Sequence, residues 1–186
     1  MKAYIDPPKK IPFYIRLGLH AAKKVTGKNL LPPRLLAWYP KAAISSGVLE
    51  ALVAHGHKKD ELDPRMLQLI RVQVSVLTAC PFCVDMNGHH HEKNGITTEE
   101  LQGLTGVLDL DLIPTLTERE KLAIRYTRLL TQTPVEISDA FMAQVKALFS
   151  AREIVIIATT AAQVNYWARL IRGLGVPPAG FMDEKL

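Results

Sequence analysis

Apolar positions along this chain fall mostly at intervals of three and four, the spacing of a helix face, and several of these runs open on a residue able to cap a helix. Pro12 to Val25 is the first, loosely amphipathic run; Gly27 and Pro32-Pro33 end it, and a further short turn carries the chain to Trp38. Ile44, Val48 and Leu52 recur every four residues and predict a helix from about Lys41 to His55. Gly56 stops it, and Lys58-Lys59-Asp60-Glu61 forms a surface connection. Asp63-Pro64 then supplies a cap acceptor followed by the residue best suited to the first helical position. Behind it Val72, Val74 and Val76 alternate with polar residues as a strand would, yet Met66, Ile70, Val74 and Leu77 keep helical spacing. Length and the Asp-Pro start decide for a helix, and Leu69, Val72 and Val76 on a second face predict burial on most sides.

The second half repeats one device. Thr97 with Glu100, Thr117 with Glu120, and Ser150 with Glu153 are capping-box patterns, each opening a helix. The first runs toward Gly106, the second carries Leu122, Tyr126, Leu129 and Leu130 on its apolar stripe, and the third runs through Ile154, Ile157, Trp167 and Leu170 to Gly173. Ser138 caps another helix, with Phe141, Val145, Leu148 and Phe149 on one face. Asn94-Gly95 gives a left-handed stop to a helix begun near Pro81. Every element is helical and the connections are short, so an all-α bundle follows. Asp63-Pro64-Arg65 and Ser150-Ala151-Arg152 open two similar long helices, an echo that suggests an internal repeat.

The chemistry sits in Thr78-Ala79-Cys80-Pro81-Phe82-Cys83-Val84-Asp85-Met86-Asn87-Gly88-His89-His90-His91, which holds both cysteines of the chain. Two cysteines separated by two residues read as a redox pair or as half of a metal site; the plain alternative is two buried cysteines packing as small apolar groups. Pro81 places Cys80 at a helix N-cap, where free amide groups and the helix dipole favour a thiolate, and Cys83 one turn on can close a disulfide. A second ligand pair at zinc spacing is missing, so no metal and no cofactor is expected. If one helix runs through this region, His90 and His91 share the Cys83 face but lie about 10–12 Å along the axis, too far for direct contact. His89-His90-His91 then reads as a solvated polar face.

Composition narrows the setting. With 186 residues, 48% of them hydrophobic, the chain can bury a substantial core. The N-terminal Met1 to Lys10 lacks an apolar signal region, and no run of about 18 apolar residues is free of polar interruption, so no membrane span is expected and the cytoplasm is the expected location. The excess of 23 basic over 18 acidic residues gives +5, spread without an aromatic-interleaved stripe, and no nucleic-acid partner is expected.

On these residues the sequence resembles the carboxymuconolactone decarboxylase superfamily, in its alkylhydroperoxidase D-like branch. The stretches that carry the resemblance are Pro64 to Gly95 around Cys80-Pro81-Phe82-Cys83, then Leu116-Thr117-Glu118-Arg119-Glu120-Lys121-Leu122-Ala123, then Phe149-Ser150-Ala151-Arg152-Glu153 through Asn165-Tyr166-Trp167-Ala168-Arg169 to Gly175-Val176. Residues 1–40 fall outside it as an N-terminal helical extension, and 41–186 form the alkylhydroperoxidase D-like helical domain. The resemblance implies a multi-helix bundle that assembles as a homo-oligomer. For members that keep the cysteine pair it implies an antioxidant, peroxiredoxin-type activity: thiol-based reduction of a peroxide or disulfide substrate, with a separate dithiol as electron donor. In that branch a glutamate twelve residues before the first cysteine and a histidine four after the second relay protons to the second cysteine. Those positions here hold Gln68 and Asn87, neither of which can take up a proton at neutral pH. Cys80, Cys83, Gln68 and Asn87 are therefore the candidate site, with the helix end favouring Cys80 as nucleophile and the resemblance favouring Cys83. In a straight helix residue 68 would lie about 18 Å from Cys80, so Gln68 serves the pair only if the chain turns back or a second subunit brings it close. A non-enzymatic or small-molecule-binding helical oligomer of the same superfamily that has lost the relay is the alternative.

Overall fold

Asp63 accepts a hydrogen bond from the Met66 amide at 2.9 Å with Pro64 behind it, and this cap launches the helix around which the molecule is built. The computed structural model describes residues 2–53 and 62–182. In chain order its α-helices are α1 (Phe13–Thr26), α2 (Leu31–Leu35), α3 (Pro40–Val53), α4 (Pro64–Leu77), α5 (Pro81–Gly88), α6 (Thr98–Thr105), α7 (Glu118–Thr131), α8 (Asp139–Leu148) and α9 (Ala151–Gly173), with 3-10 turns at Leu36–Trp38, His91–Asn94 and Leu110–Leu112. No strand occurs among the described residues, so the expected all-α bundle is what forms. The predicted end of α3 at His55-Gly56 and the connection at 58–61 lie outside the described residues.

Helix α4 is buried on most sides because its two apolar faces serve two different clusters. Met66, Leu67, Ile70 and Val74 pack with Leu122, Ala123 and Tyr126 of α7, Val145 of α8 with Phe149 just beyond it, and Ile157, Ala161 and Val164 of α9. Leu69 and Val72 pack the other way, with Leu104 of α6, Ile124 of α7 and the segment Leu110, Ile113 and Leu116. Burying side chains of this size stabilises the fold by about 1.5–3 kcal/mol each. Helix α9 is long and apolar enough to cross a membrane by length and composition alone, and here it packs against α4 and α7.

All three capping boxes are formed, with each threonine or serine hydroxyl accepting from the N3 amide and each N3 glutamate accepting from the cap amide. The same glutamates also meet arginines of other helices. Arg65 of α4 reaches Glu100 at 2.7 Å and Glu120 at 2.6 Å, and Arg119 reaches Glu153 at 2.6 Å. Glu100 is fully buried. Burial pushes its carboxyl up, but the hydrogen bonds from Arg65, the Thr97 amide and Thr115, with the Arg65 charge, leave it below the ordinary value.

Two expectations are corrected. The helix begun at Pro81 ends at Gly88; His90 takes a left-handed φ of 57°, and the stop at Gly95, φ 67°, closes a 3-10 turn instead. The cause is Gln68, whose side-chain amide donates to the carbonyls of Asn87 (2.9 Å) and His89 (3.1 Å), oxygens that a continuing helix would have used itself. His90 and His91 therefore do not share a helix face with Cys83. In α3 the stripe marked by Ile44 and Val48 faces outward, while Ser46 is buried and Glu50 meets α9.

Candidate active site

The cysteine pair lies at a corner built from two helix ends. Helix α4 closes with Ala79 in the left-handed region, φ 46°, the Cys80 amide donating to the Ser75 carbonyl (3.1 Å) and the Ala79 amide to Val76 (2.9 Å). This is a Schellman closure, made with alanine where glycine is usual. Cys80 at once becomes the N-cap of α5, its Sγ accepting from the Cys83 amide at 3.2 Å, with Pro81 at the first helical position. Cys80 and Cys83 are joined as a disulfide. Arg172, in the last turn of α9, donates to the carbonyls of Thr78 (2.6 Å) and Ala79 (3.1 Å) and holds the corner in place.

Around the sulfurs the setting is apolar. Cys80 is 0% and Cys83 3% exposed, clustered with Ala3, Leu35, Phe82, Ala168, Ile171 and Val176, and with Trp167 and Met86 partly buried beside them. The N-terminal extension thus forms part of the wall. Beside α5 the C-terminal segment crosses as a strap: the buried Asp85 carboxylate accepts from the amides of Ala179 (2.8 Å) and Met182 (2.9 Å). Lys28 donates to the carbonyls of Ala179 and Gly180 and lies 4.9 Å from the ring centre of Phe181, whose other neighbour is His89 at 5.4 Å.

The chain does turn back, which brings α4 alongside α5 within one subunit. Gln68 meets the end of α5 remote from the cysteines: besides its two carbonyl acceptors, its Oε1 accepts from Asn94 at 2.6 Å. Asn87 donates to the Ser75 hydroxyl at 3.0 Å. Gln68 uses both ends of its amide and Asn87 one donor to hold α4, α5 and the following turn together, and neither hydrogen-bonds a sulfur among these contacts. A carboxylate that the linear pattern gave no reason to single out lies on another wall. Glu50 of α3 accepts from Gln163 (2.7 Å) and from the indole of Trp167 (2.9 Å), the ring that packs beside the cysteines. Burial pushes the Arg71 guanidinium down, and the Glu50 charge opposes that shift. Asp85, Arg172 and Glu50 escape a sequence reading because each acts on a backbone or a side chain about 95 residues or more away. Among the described residues no three His, Cys, Asp or Glu side chains converge as metal ligands.

Residues 46–128 match the model of the carboxymuconolactone decarboxylase family, and that segment contains α4, the cysteine corner and most of α7. Over that segment the chain is similar to the carboxymuconolactone decarboxylase family. The uncharacterized protein YnjA of Escherichia coli (strain K12) is 24% identical over 177 residues, covering 95% of this chain and 94% of its own length. An uncharacterized peroxidase-related protein from Silicibacter sp. TM1040 superposes with a TM-score of 0.80 at 17% identity, over 96% of this chain and 93% of its own. The alkylhydroperoxidase AhpD core of an uncharacterized peroxidase-related protein from Ralstonia eutropha JMP134 gives 0.75 at 17% identity, over 95% and 92%. At these identities the superpositions establish the shared fold, with the N-terminal extension included in the overlap.

Proposed function

We propose that this protein is a thiol-dependent peroxidase and disulfide oxidoreductase that cycles Cys80 and Cys83 between dithiol and disulfide in antioxidant defence. The observation that carries the reading is the pair itself, disulfide-bonded at a helix start inside an apolar nest. In the oxidative half, one cysteine thiolate attacks the peroxide O–O bond, taking one oxygen as a sulfenic acid and releasing the alcohol. The second thiol attacks that sulfur, water leaves, and the disulfide closes. An external dithiol restores the pair by exchange and departs as its own disulfide. A cytoplasmic setting, where such donors stay reduced, suits this cycle.

Cys80, as N-cap, is the cysteine directed at the free amides of α5, whereas the superfamily resemblance assigns the attack to Cys83. Single Cys80→Ser and Cys83→Ser variants decide between them: the variant that retains the nucleophile forms a sulfenic acid with peroxide that a dimedone-type reagent traps. Thiol counts before and after peroxide treatment test the whole reading, and two thiols unchanged after oxidation overturn it.

A second reading is favoured by the engagement of Gln68 and Asn87 in structural hydrogen bonds: a small-molecule-binding oligomer that has kept the fold without the relay. Peroxide consumption with dithiothreitol as donor separates the two. Turnover abolished by Cys83→Ser supports the enzyme, and a slow rate indifferent to that change supports the binder.

A further inference from the structure

The N-terminal extension carries a feature that the cysteine chemistry does not use. Arg16, His20 and Lys23 fall at intervals of four and three, one stripe along α1, and face Arg34 of α2 across a concavity of about 420 Å³. Its floor and walls are Leu19, Ala22, Leu30 and Pro33, with Asn29 at the turn. No carboxylate lines it among the described residues. None of the four basic side chains makes an ion pair or a side-chain hydrogen bond with another described residue, although Lys2, Arg65, Arg119, Lys121 and Arg125 elsewhere in the chain all do.

A stripe of like charges around a hollow is self-repelling and has a plain reading in part, since Lys23 stands in the last helical turn, where a cation complements the dipole whatever else it does. Arg34 likewise stands in the last turn of the short α2, whereas Arg16, in the first turn of α1 where a cation opposes the dipole, has no such reason to be there. Arg16 and Arg34 come from different helices and line one hollow, and guanidinium forks without a carboxylate among the described lining residues suit a carboxylate or phosphate group. The apolar wall supplies the other half of a small-molecule site, and the volume falls within the usual range for one. A macromolecular polyanion would need a longer basic track than these four residues provide.

We propose that this hollow binds a small organic anion, its carboxylate or phosphate group held by Arg16 and Arg34 with Lys23 and His20 at the rim, and its apolar body against Leu19, Leu30 and Pro33. The site adjoins the redox centre, because Leu30 also packs on the cluster that contains Cys80 and Cys83. The proposal does not depend on the redox reading and is tested without turnover.

Isothermal calorimetry of the full oxidised chain with phenyl phosphate, benzoate and neutral benzyl alcohol compares two anions with an uncharged body of similar size. One anion or both should bind at a single site, more weakly as salt is raised, and the alcohol should not. Whichever anion binds tighter names the head group. Arg16→Gln with Arg34→Gln should weaken binding by about tenfold or more, while Lys24→Gln, outside the hollow, leaves it unchanged. All three side chains are exposed, so melting temperature should stay constant and separate lost binding from lost folding. Equal binding of the alcohol, undiminished binding by the double arginine variant, or no heat from either anion at about 10 mM overturns the proposal.

Discussion

Asp85→Asn is the most informative single change. The carboxylate uses both oxygens, one for each strap amide, and asparagine offers one acceptor and turns a donor toward the other amide. Hydrogen bonds to charged groups contribute about 1.5–3 kcal/mol each, so one weakened and one broken bond should cost the strap roughly 2–4 kcal/mol. At a factor of ten per 1.4 kcal/mol, the strap-open population should rise roughly thirtyfold to several hundredfold. Because Ala179 and Val176 wall the cysteine cluster, the opening should expose a disulfide that is otherwise out of reach. Two measurements are paired: hydrogen exchange at the Ala179 and Met182 amides, and the rate at which dithiothreitol reduces Cys80–Cys83, followed by alkylation and mass. Both should accelerate together. If the amides lose protection while the reduction rate stays at the parent value, the strap does not control access and the reasoning fails.

The remaining predictions follow from the relay positions, the buried charges and the uncovered surface. Gln68→Glu places a carboxylate against the carbonyls of Asn87 and His89 and should lower stability by about 1–3 kcal/mol in denaturant titration. Combined with Asn87→His it should nevertheless raise peroxide turnover, by more than either change alone, and no gain anywhere between about pH 6 and 9 excludes the relay alignment. Arg65→Met leaves Glu100 and Glu120 buried without their cation and should cost about 3–5 kcal/mol at neutral pH. Glu100 and Glu153 both titrate below the ordinary 4.5 in the folded chain, so their contribution to stability is present above that value and is lost as pH falls through their folded values. Glu100→Gln should flatten the acid side of a melting-temperature profile. The exposed Ile44, Val48, Val155 and Tyr166 lead us to propose a homo-oligomer, and a monomer mass in sedimentation at micromolar concentration counts against it.

Local signals were the legible part of this fold. Asp63-Pro64, the three capping boxes, Ser138 and the glycines at 27 and 106 act through neighbours within a few residues, so the sequence displays them directly, and each forms as expected. Helix faces were less so: Ile44 and Val48 look like a core stripe and point outward, because which side of α3 is covered depends on where α9 lies. The break after Gly88 was hidden for a related reason, since Gln68, which causes it, is 20 positions upstream of that glycine. At the site the cysteines and their cap were readable, whereas the apolar wall from Ala3 and Leu35, the Asp85 strap and the Glu50 contact to Trp167 exist only once distant segments meet.

The doubled role of the capping glutamates carries a further implication. A capping box accepts glutamine nearly as well as glutamate, since either side chain can receive the cap amide. Here Glu100, Glu120 and Glu153 must also satisfy Arg65 or Arg119. The mark that says where each of these helices begins is therefore also the mark that says which partner it joins, and helix initiation is tied to assembly. A fragment such as α7 taken alone keeps its start signal and loses half of that signal's purpose. Conservative substitution at these three positions is closed off, because neither aspartate, too short for the box, nor glutamine, uncharged, can do both tasks.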